Sequence, residues 1–245
     1  PSAGLRILVL VPTIVIMNWQ AELDRWVPGR LQEAVFGGWP RILVRLSWSQ
    51  RMAAIGEWHR TGGILIAGYE MYRDMVYLDD SQNASAEYNP AGRQIVWSER
   101  RKKIDDARRL LCSAHIVVCD EAHRIKNPRS ALNQAVQLVE TRHRVCLTGY
   151  PLQNNLREYW AMIDYCRPRF LPDWDEMRVR FATPIRRALN PQATEHDVRY
   201  AQQKLYVLSR LVEPVVFRLD AQILHDGLPP KREYVIRCRL SSLQR

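Results

Sequence analysis

Asp120, Glu121 and His123 follow directly on four apolar residues, Ile116-Val117-Val118-Cys119. An apolar run of that length ending in two carboxylates predicts a core strand that delivers acid at its carboxyl end. In open α/β sheets that is the end at which ligands bind. One carboxylate there can hold a magnesium ion through its water shell, and a second beside it can orient an attacking water. Phosphoryl transfer needs both parts. The bland alternative is a solvated turn after a strand. A second cluster, Arg144-Val145-Cys146-Leu147-Thr148-Gly149-Tyr150-Pro151-Leu152-Gln153-Asn154-Asn155, is another short apolar run breaking into hydroxyl, glycine and amides. Thr148, Gly149 and Gln153 there offer directional hydrogen bonds that can read a phosphate state. The same residues also suit an ordinary strand, turn and helix cap, with Asn154 or Asn155 as N-cap.

Elements that could position these groups alternate along the chain. Ile7 to Val11 predicts a short strand, and Asn18 to Trp26 a helix with Trp19, Leu23 and Trp26 on one face. Ile42 to Leu46 and Ile64 to Ala67 read as further strands, with a helix from Gln50 to Arg60 between them. Asp79 to Arg93 is polar and reads as a surface loop, and Ser98 to Leu111 as a strongly charged helix leading back to the strand before Asp120. Such alternation predicts an α/β fold with a mostly parallel sheet flanked by helices. From Asn155 onward the character changes. Asn155 to Tyr165, Asp173 to Ala182 and Glu195 to Leu211 are helical in period, a helical annex on the α/β core. Arg232 to Leu240 alternates as a strand would.

Composition bounds the partners. The 245 residues carry 36 basic against 26 acidic side chains, a net charge of +10. An excess of that size favours an anionic partner, nucleic acid first, although a basic protein without one is also compatible with charge alone. The five cysteines, at 112, 119, 146, 166 and 238, show no C-x-x-C spacing and read as reduced packing residues of an intracellular protein. No membrane partner is expected. The apolar stretch from Ile7 to Met17 is too short to span a bilayer, is broken by Pro12 and lacks the flanks of a secretory signal. The first residue is Pro, so the chain reads as a piece of a longer one.

The acidic box and the Thr148 segment together resemble motifs II and III of the Swi/Snf family of double-stranded-DNA translocases, helicase-like proteins with two RecA-type lobes. Val11-Pro12-Thr13, followed by Asn18-Trp19 and Glu22, is similar to the family's motif Ia, where a strand end meets a DNA phosphate. A hydroxyl and free backbone N–H groups at a helix start suit that contact, though Thr13 or Asn18 could simply cap the helix. Ile66-Ala67-Gly68-Tyr69-Glu70 resembles motif Ib, which also tracks the DNA backbone, and Arg124-Ile125-Lys126-Asn127 resembles a family signature after the acidic box. Those charges could equally be a solvated face. Phe181 with Pro184-Ile185 resembles the family's helical protrusion, and Leu228-Pro229-Pro230-Lys231-Arg232-Glu233 the passage into the second lobe. Tyr150, with Gly68 to Arg73 and Glu158-Tyr159-Trp160, points to the branch containing ATRX and the androgen-receptor-interacting helicase-like protein. Val216-Phe217-Arg218 departs from the paired arginines usual before the second lobe.

The resemblance implies a RecA-like first lobe over 1–154 that lacks its Walker A loop, a helical protrusion over 155–230, and the start of the connection to lobe two over 231–245. It implies an ATP-dependent duplex-DNA translocase that remodels chromatin in the nucleus, using ATP and magnesium on nucleosomes, with transcription-factor or chromatin proteins as further partners. Asp120 would hold magnesium and Glu121 would position and deprotonate the water. His123, Thr148, Gly149 and Gln153 would relay the nucleotide state, and Pro12, Thr13, Asn18, Tyr69, Lys126 and Asn127 would grip DNA. The eleven glycines include no Gly-Lys pair, and no Q-x-x-G-R-x-x-R segment occurs. The phosphate loop is therefore expected upstream of Val9, and the 245 residues alone are expected to be inactive. Two other classes are compatible with the same residues: a catalytically silent DNA- or protein-binding module, and a strand-separating helicase on DNA or RNA.

Overall fold

The computed structural model describes residues 4–27, 40–77, 90–149 (backbone only over 90–97), 156–219, 232–239 and 241–242. Residues Pro1–Leu205 form one compact unit and Tyr206–Arg245 a second.

The first unit is built on five parallel strands in the order β2-β3-β1-β4-β5. They are β1 (Arg6–Val11), β2 (Arg41–Ile42), β3 (Gly63–Gly68), β4 (Ile116–Cys119) and β5 (Arg144–Cys146). The central strands are apolar without interruption because they are covered on both faces, as parallel sheets require. Val9, Val11, Ile64 and Ile66 face helix α1 (Ile16–Trp26), which adds Ile16, Trp19 and Leu23 to one apolar layer. Leu8, Leu10, Leu65 and Ala67 alternate to the other face and are fully buried. Helices α2 (Trp48–Thr61), α3 (Tyr69–Val76), α4 (Pro90–Leu111) and α5 (Ala131–Gln137) follow, with α3 packed on β1, β3, α4 and α5.

Local chemistry sets the ends of α2. Ser47 accepts from the Gln50 backbone while the Gln50 side chain returns to the Ser47 N–H, a capping box. Gly62 ends the helix at φ +81°, where a Cβ would lie 2.5 Å from the Gly4 carbonyl carbon.

Beyond β5 lie α6 (Leu156–Cys166), α7 (Trp174–Met177), a π turn (Arg178–Ala182), α8 (Thr183–Ala188) and α9 (Glu195–Val212). α6 packs against β5.

Several expected elements differ. The strand expected over Ile42 to Leu46 is only two residues long, because Arg45 adopts φ +54° and turns the chain away. Trp26 does not join Trp19 and Leu23 on the apolar face. It sits at the last turn of α1, 72 % exposed, with its indole N–H on Glu22. The charged helix begins at Pro90, inside the stretch read as loop, a placement that suits proline at a first helical turn. The helix expected from Asp173 to Ala182 is present but carries a π stretch over Arg178–Ala182 and continues without a break through Ala188. In the second unit, residues 232–239 form no strand. Tyr234, Val235 and Ile236 are 78–88 % exposed, and among the described residues no strand pairs with them to give the backbone a ladder.

Candidate active site at the carboxyl rim

Parallel register brings the chemistry to one edge. Val11 pairs with Gly68, Leu10 with Cys119, and Cys119 with Cys146, so β1, β3, β4 and β5 end at one rim. Thr13, Tyr69, Asp120 and Thr148 each lie one or two residues past a strand end on that rim. The backbone continues the ladder slightly further, with Asp120 N–H on the Leu10 carbonyl and Ala122 N–H on the Leu147 carbonyl, both 2.8 Å.

Asp120 is held at three points. Its Oδ2 accepts the Trp19 indole N–H at 2.7 Å, and its Oδ1 accepts the Glu121 backbone N–H at 2.9 Å. Its backbone carbonyl accepts the Tyr69 hydroxyl at 2.6 Å. Glu121 occupies the left-handed region at φ +49°, ψ +49°, a conformation that is unfavourable for a side-chain-bearing residue and clusters at functional sites. That turn leads into a 3-10 helix over Ala122–Ile125 and leaves the Glu121 carboxylate partly exposed. His123 Nδ1 lies 3.1 Å from Glu121 Oε2, close enough for charge pairing but without hydrogen-bond geometry.

The structure separates the other expected site residues into two groups. Thr13 is exposed and Pro12 half-buried before α1, and Asn18 is exposed in its first turn. No side chain caps either the turn over Thr13–Val15 or α1, so the capping roles open to Thr13 and Asn18 are not the ones they play. A Cβ on Gly68 would meet Thr13 Oγ1 at 3.0 Å, which fixes Thr13 against the end of β3. Thr148 is half-buried, whereas Gly149 is exposed in open space. Gln153 and Tyr150 lie outside the described residues.

Tyr69, expected at the DNA backbone, is wholly buried with its hydroxyl committed to Asp120, so its side chain cannot reach a phosphate. The resemblance to motif Ib implies a DNA contact at Tyr69; in the structure its phenol instead props the Asp120 backbone. Burial, then the Cys119 and Cys146 thiols and Asp120, pushes its phenol far above the ordinary tyrosine range, so it remains a donor. Lys126 Nζ lies 3.1 Å from Glu158 Oε2 on α6, with three quarters of its side chain covered. Asn127 spends its Oδ1 on the Arg129 N–H at 3.0 Å, shaping the turn into α5. Arg124 pairs with Glu70 and lies over the Tyr69 ring, 5.5 Å from its centroid. Trp19 and Tyr69 are the residues whose site roles the sequence did not reveal. Trp19 reads as a packing aromatic and Tyr69 as part of a DNA-contact motif, and no spacing marks a heteroatom aimed at Asp120.

A cleft of about 950 Å³ lies at the opposite, amino-terminal rim, lined by Arg6, His115, Arg142 and His143 among others. It is remote from the carboxylates, and the convergent polar groups mark the carboxyl rim as the site.

Residues 3–245 match the SNF2-related domain. The chain belongs to the SNF2-related family. Among its homologues, the human helicase ARIP4 is 34 % identical over 259 residues, covering 98 % of this chain and 18 % of that protein. Protein CHROMATIN REMODELING 20 of Arabidopsis thaliana is 33 % identical over 244 residues, covering 97 % and 15 %. Human transcriptional regulator ATRX is 32 % identical over 237 residues, covering 97 % and 9 %. The chain thus spans less than a fifth of the length of these curated relatives. The SWI2/SNF2 ATPase core of Sulfolobus solfataricus in complex with dsDNA superposes with a TM-score of 0.55 at 20 % identity, over 91 % of this chain and 36 % of that one. The fold is therefore that of a RecA-like SWI2/SNF2 ATPase core, and this SNF2-related chain is part of such a core. Among the described residues no helix is long and apolar enough to cross a membrane, and all five cysteines are free thiols.

Proposed function

We propose that this chain is the motif Ia to motif III part of an ATP-dependent double-stranded-DNA translocase that remodels chromatin in the nucleus. The observation that carries the reading is Asp120 and Glu121 together at the end of β4 in an SNF2-related chain, one carboxylate pinned and the other turned outward. Residues 1–154 would form the ATP-binding lobe, 155–230 the helical protrusion, and 231–245 the start of the passage to a second lobe.

The donor set fits magnesium. Asp120 offers hard oxygen, and each of its oxygens carries one neutral donor, which leaves lone pairs for the waters of a hydrated cation. Among the described residues no three ligating side chains cluster, which suits an ion held by one carboxylate, water and substrate phosphates rather than by a protein cage. Bound magnesium would neutralise charge on the phosphates. Glu121 would orient a water and take its proton, and His123 beside it would help relay the nucleotide state. Thr148, Gly149 and Gln153 would sense the nucleotide. Pro12, Thr13 and Asn18, at an α1 start with no side-chain cap, would contact duplex phosphates without reading bases. Nucleosomes and chromatin or transcription-factor proteins are the corresponding partners, and the charge of +10 supports a polyanion.

Glu121→Gln in the complete parent protein tests the reading. Nucleotide binding should stay nearly intact, while DNA-stimulated phosphate release falls by about two to four orders of magnitude, the usual range for a lost general base. Near-normal release would remove Glu121 from that role.

A further inference from the structure

We propose that Trp19 is a positioning residue for Asp120, holding the carboxylate in the orientation that receives the cation. The inference rests on Asp120 as the magnesium-holding group and adds a residue that acts through it.

The indole has one donor, and it is spent on Asp120 Oδ2 at 2.7 Å. That is at the short end for N–H···O and in the range of bonds to a charged acceptor. The rest of the ring packs with Val9, Val11, Ile16, Ile64 and Ile66 on the sheet face, so the N–H is aimed by the core rather than by a mobile side chain. On the other oxygen the Glu121 backbone N–H completes the grip. A carboxylate accepts about four hydrogen bonds, so two such donors fix its plane and still leave acceptor sites for a hydrated cation.

The donor's neutrality matters equally. Around the same strand end, Glu70 is paired with Arg124 and Glu158 with Lys126. Both guanidinium and ammonium are thereby occupied with other carboxylates, and Asp120 has no ion pair among the described residues. An indole N–H orients the carboxylate without cancelling the charge a dication needs. An arginine at the same place would hold it as firmly and repel the ion.

The test uses the full-length parent protein and binding of a fluorescent, non-hydrolysable ATP analogue titrated against Mg2+. Trp19→Phe keeps the ring in the apolar layer and removes the N–H. It should raise the Mg2+ concentration at the midpoint by roughly tenfold, the low end of the range for outer-shell partners of metal ligands. Analogue binding in chelator, which a packing defect would weaken, should be unchanged. Asp120→Asn should raise the midpoint too, and adding Trp19→Phe to it should shift the midpoint no further, because both changes act through one bond. If Trp19→Phe fails to fold, Trp19→Leu also fills the apolar layer without a donor and should show the same shift. A midpoint that moves in Asp120→Asn but not in the Trp19 variant would overturn the positioning role. A midpoint that Asp120→Asn itself leaves unmoved would instead overturn Asp120 as the magnesium holder, and Trp19 with it.

Discussion

Tyr69→Phe isolates one hydrogen bond at the centre of the site. Tyr69 opens α3, is fully buried, and donates at 2.6 Å to the backbone carbonyl of Asp120. Phe keeps the ring, its packing and the approach of the Arg124 guanidinium. Only the hydroxyl goes, and with it the partner of the Asp120 carbonyl. A net hydrogen bond is worth about 0.5–1.5 kcal/mol, and leaving the half-buried acceptor without its partner raises the loss to about 1–3 kcal/mol. A central value of about 2 kcal/mol corresponds to a melting temperature lower by roughly 4–8 °C in a protein of this size. Tyr72→Phe is the internal comparison. Its hydroxyl has only a long 3.4 Å contact to the Ala135 carbonyl and a 3.7 Å approach to the Cys112 thiol, so under about 1 kcal/mol is expected. Urea unfolding followed by far-ultraviolet circular dichroism, with both variants side by side, measures the difference. A Tyr69→Phe loss no larger than that of Tyr72→Phe would refute the claim that the phenol props the Asp120 backbone.

Three further outcomes are expected. Asn133 is 4 % exposed and its Nδ2 donates to the Ile125 carbonyl at 2.6 Å, so Asn133→Ala should cost about 1–3 kcal/mol in chemical denaturation. His59 and His115 are both held below the ordinary imidazole value, first by desolvation and then by the Arg6 guanidinium. The unfolded chain therefore takes up protons that the folded chain refuses. Stability from this source is complete above the unfolded value near 6.5 and is lost as pH falls below it, and His59→Gln with His115→Gln should flatten that slope in urea titrations between pH 7 and 5. In duplex-DNA anisotropy over a salt series, Thr13→Ala should weaken binding to all sequences alike. Lys126→Ala should change the log–log salt slope by well under the roughly one unit of a phosphate-contacting lysine, because its ammonium already faces Glu158. A full unit would show that Lys126 leaves Glu158 for DNA.

What the sequence disclosed and what it hid divide along physical lines. β1, β3 and β4 are legible because burial on both faces leaves apolar runs too long and too regular to be turns. The common rim follows, since Pro12-Thr13, Tyr69-Glu70 and Asp120-Glu121 end the three runs. β2 is not legible as built, because the left-handed turn at Arg45 carries no glycine or asparagine to announce it. Glu121 is hidden in the same way: its turn is imposed by the ladder on either side, where Asp120 bonds to Leu10 and Ala122 to Leu147. Residues 232–239 show the converse failure. Their alternation reports which side chains could share a face, but a strand also needs a neighbour to complete its hydrogen bonds. Charge pairing is hidden for a further reason. Lys126 and Glu158 stand far apart in the chain and meet only because α6 returns to pack against the turn after Asp120.

That pairing changes how the proposed site divides its charges. A reading of Arg124-Ile125-Lys126-Asn127 as a basic strip would set cations beside the magnesium-holding carboxylate, where they would compete with the ion. In the structure Arg124 answers Glu70 and Lys126 answers Glu158, so two cations and two carboxylates nearly cancel around the turn. Asp120, held only by neutral donors, and the partly exposed Glu121 remain as the local negative charge. In the proposed site, phosphate contact from this rim would then fall to neutral side chains before and within the first turn of α1, Thr13 and Asn18. Neutral donors suit a translocase, because contacts that carry less charge release fewer counterions and are easier to break and remake at each step along the duplex. Trp19 lies on the same helix as those donors, so the proposed DNA contact and the proposed magnesium carboxylate are joined through a single rigid element.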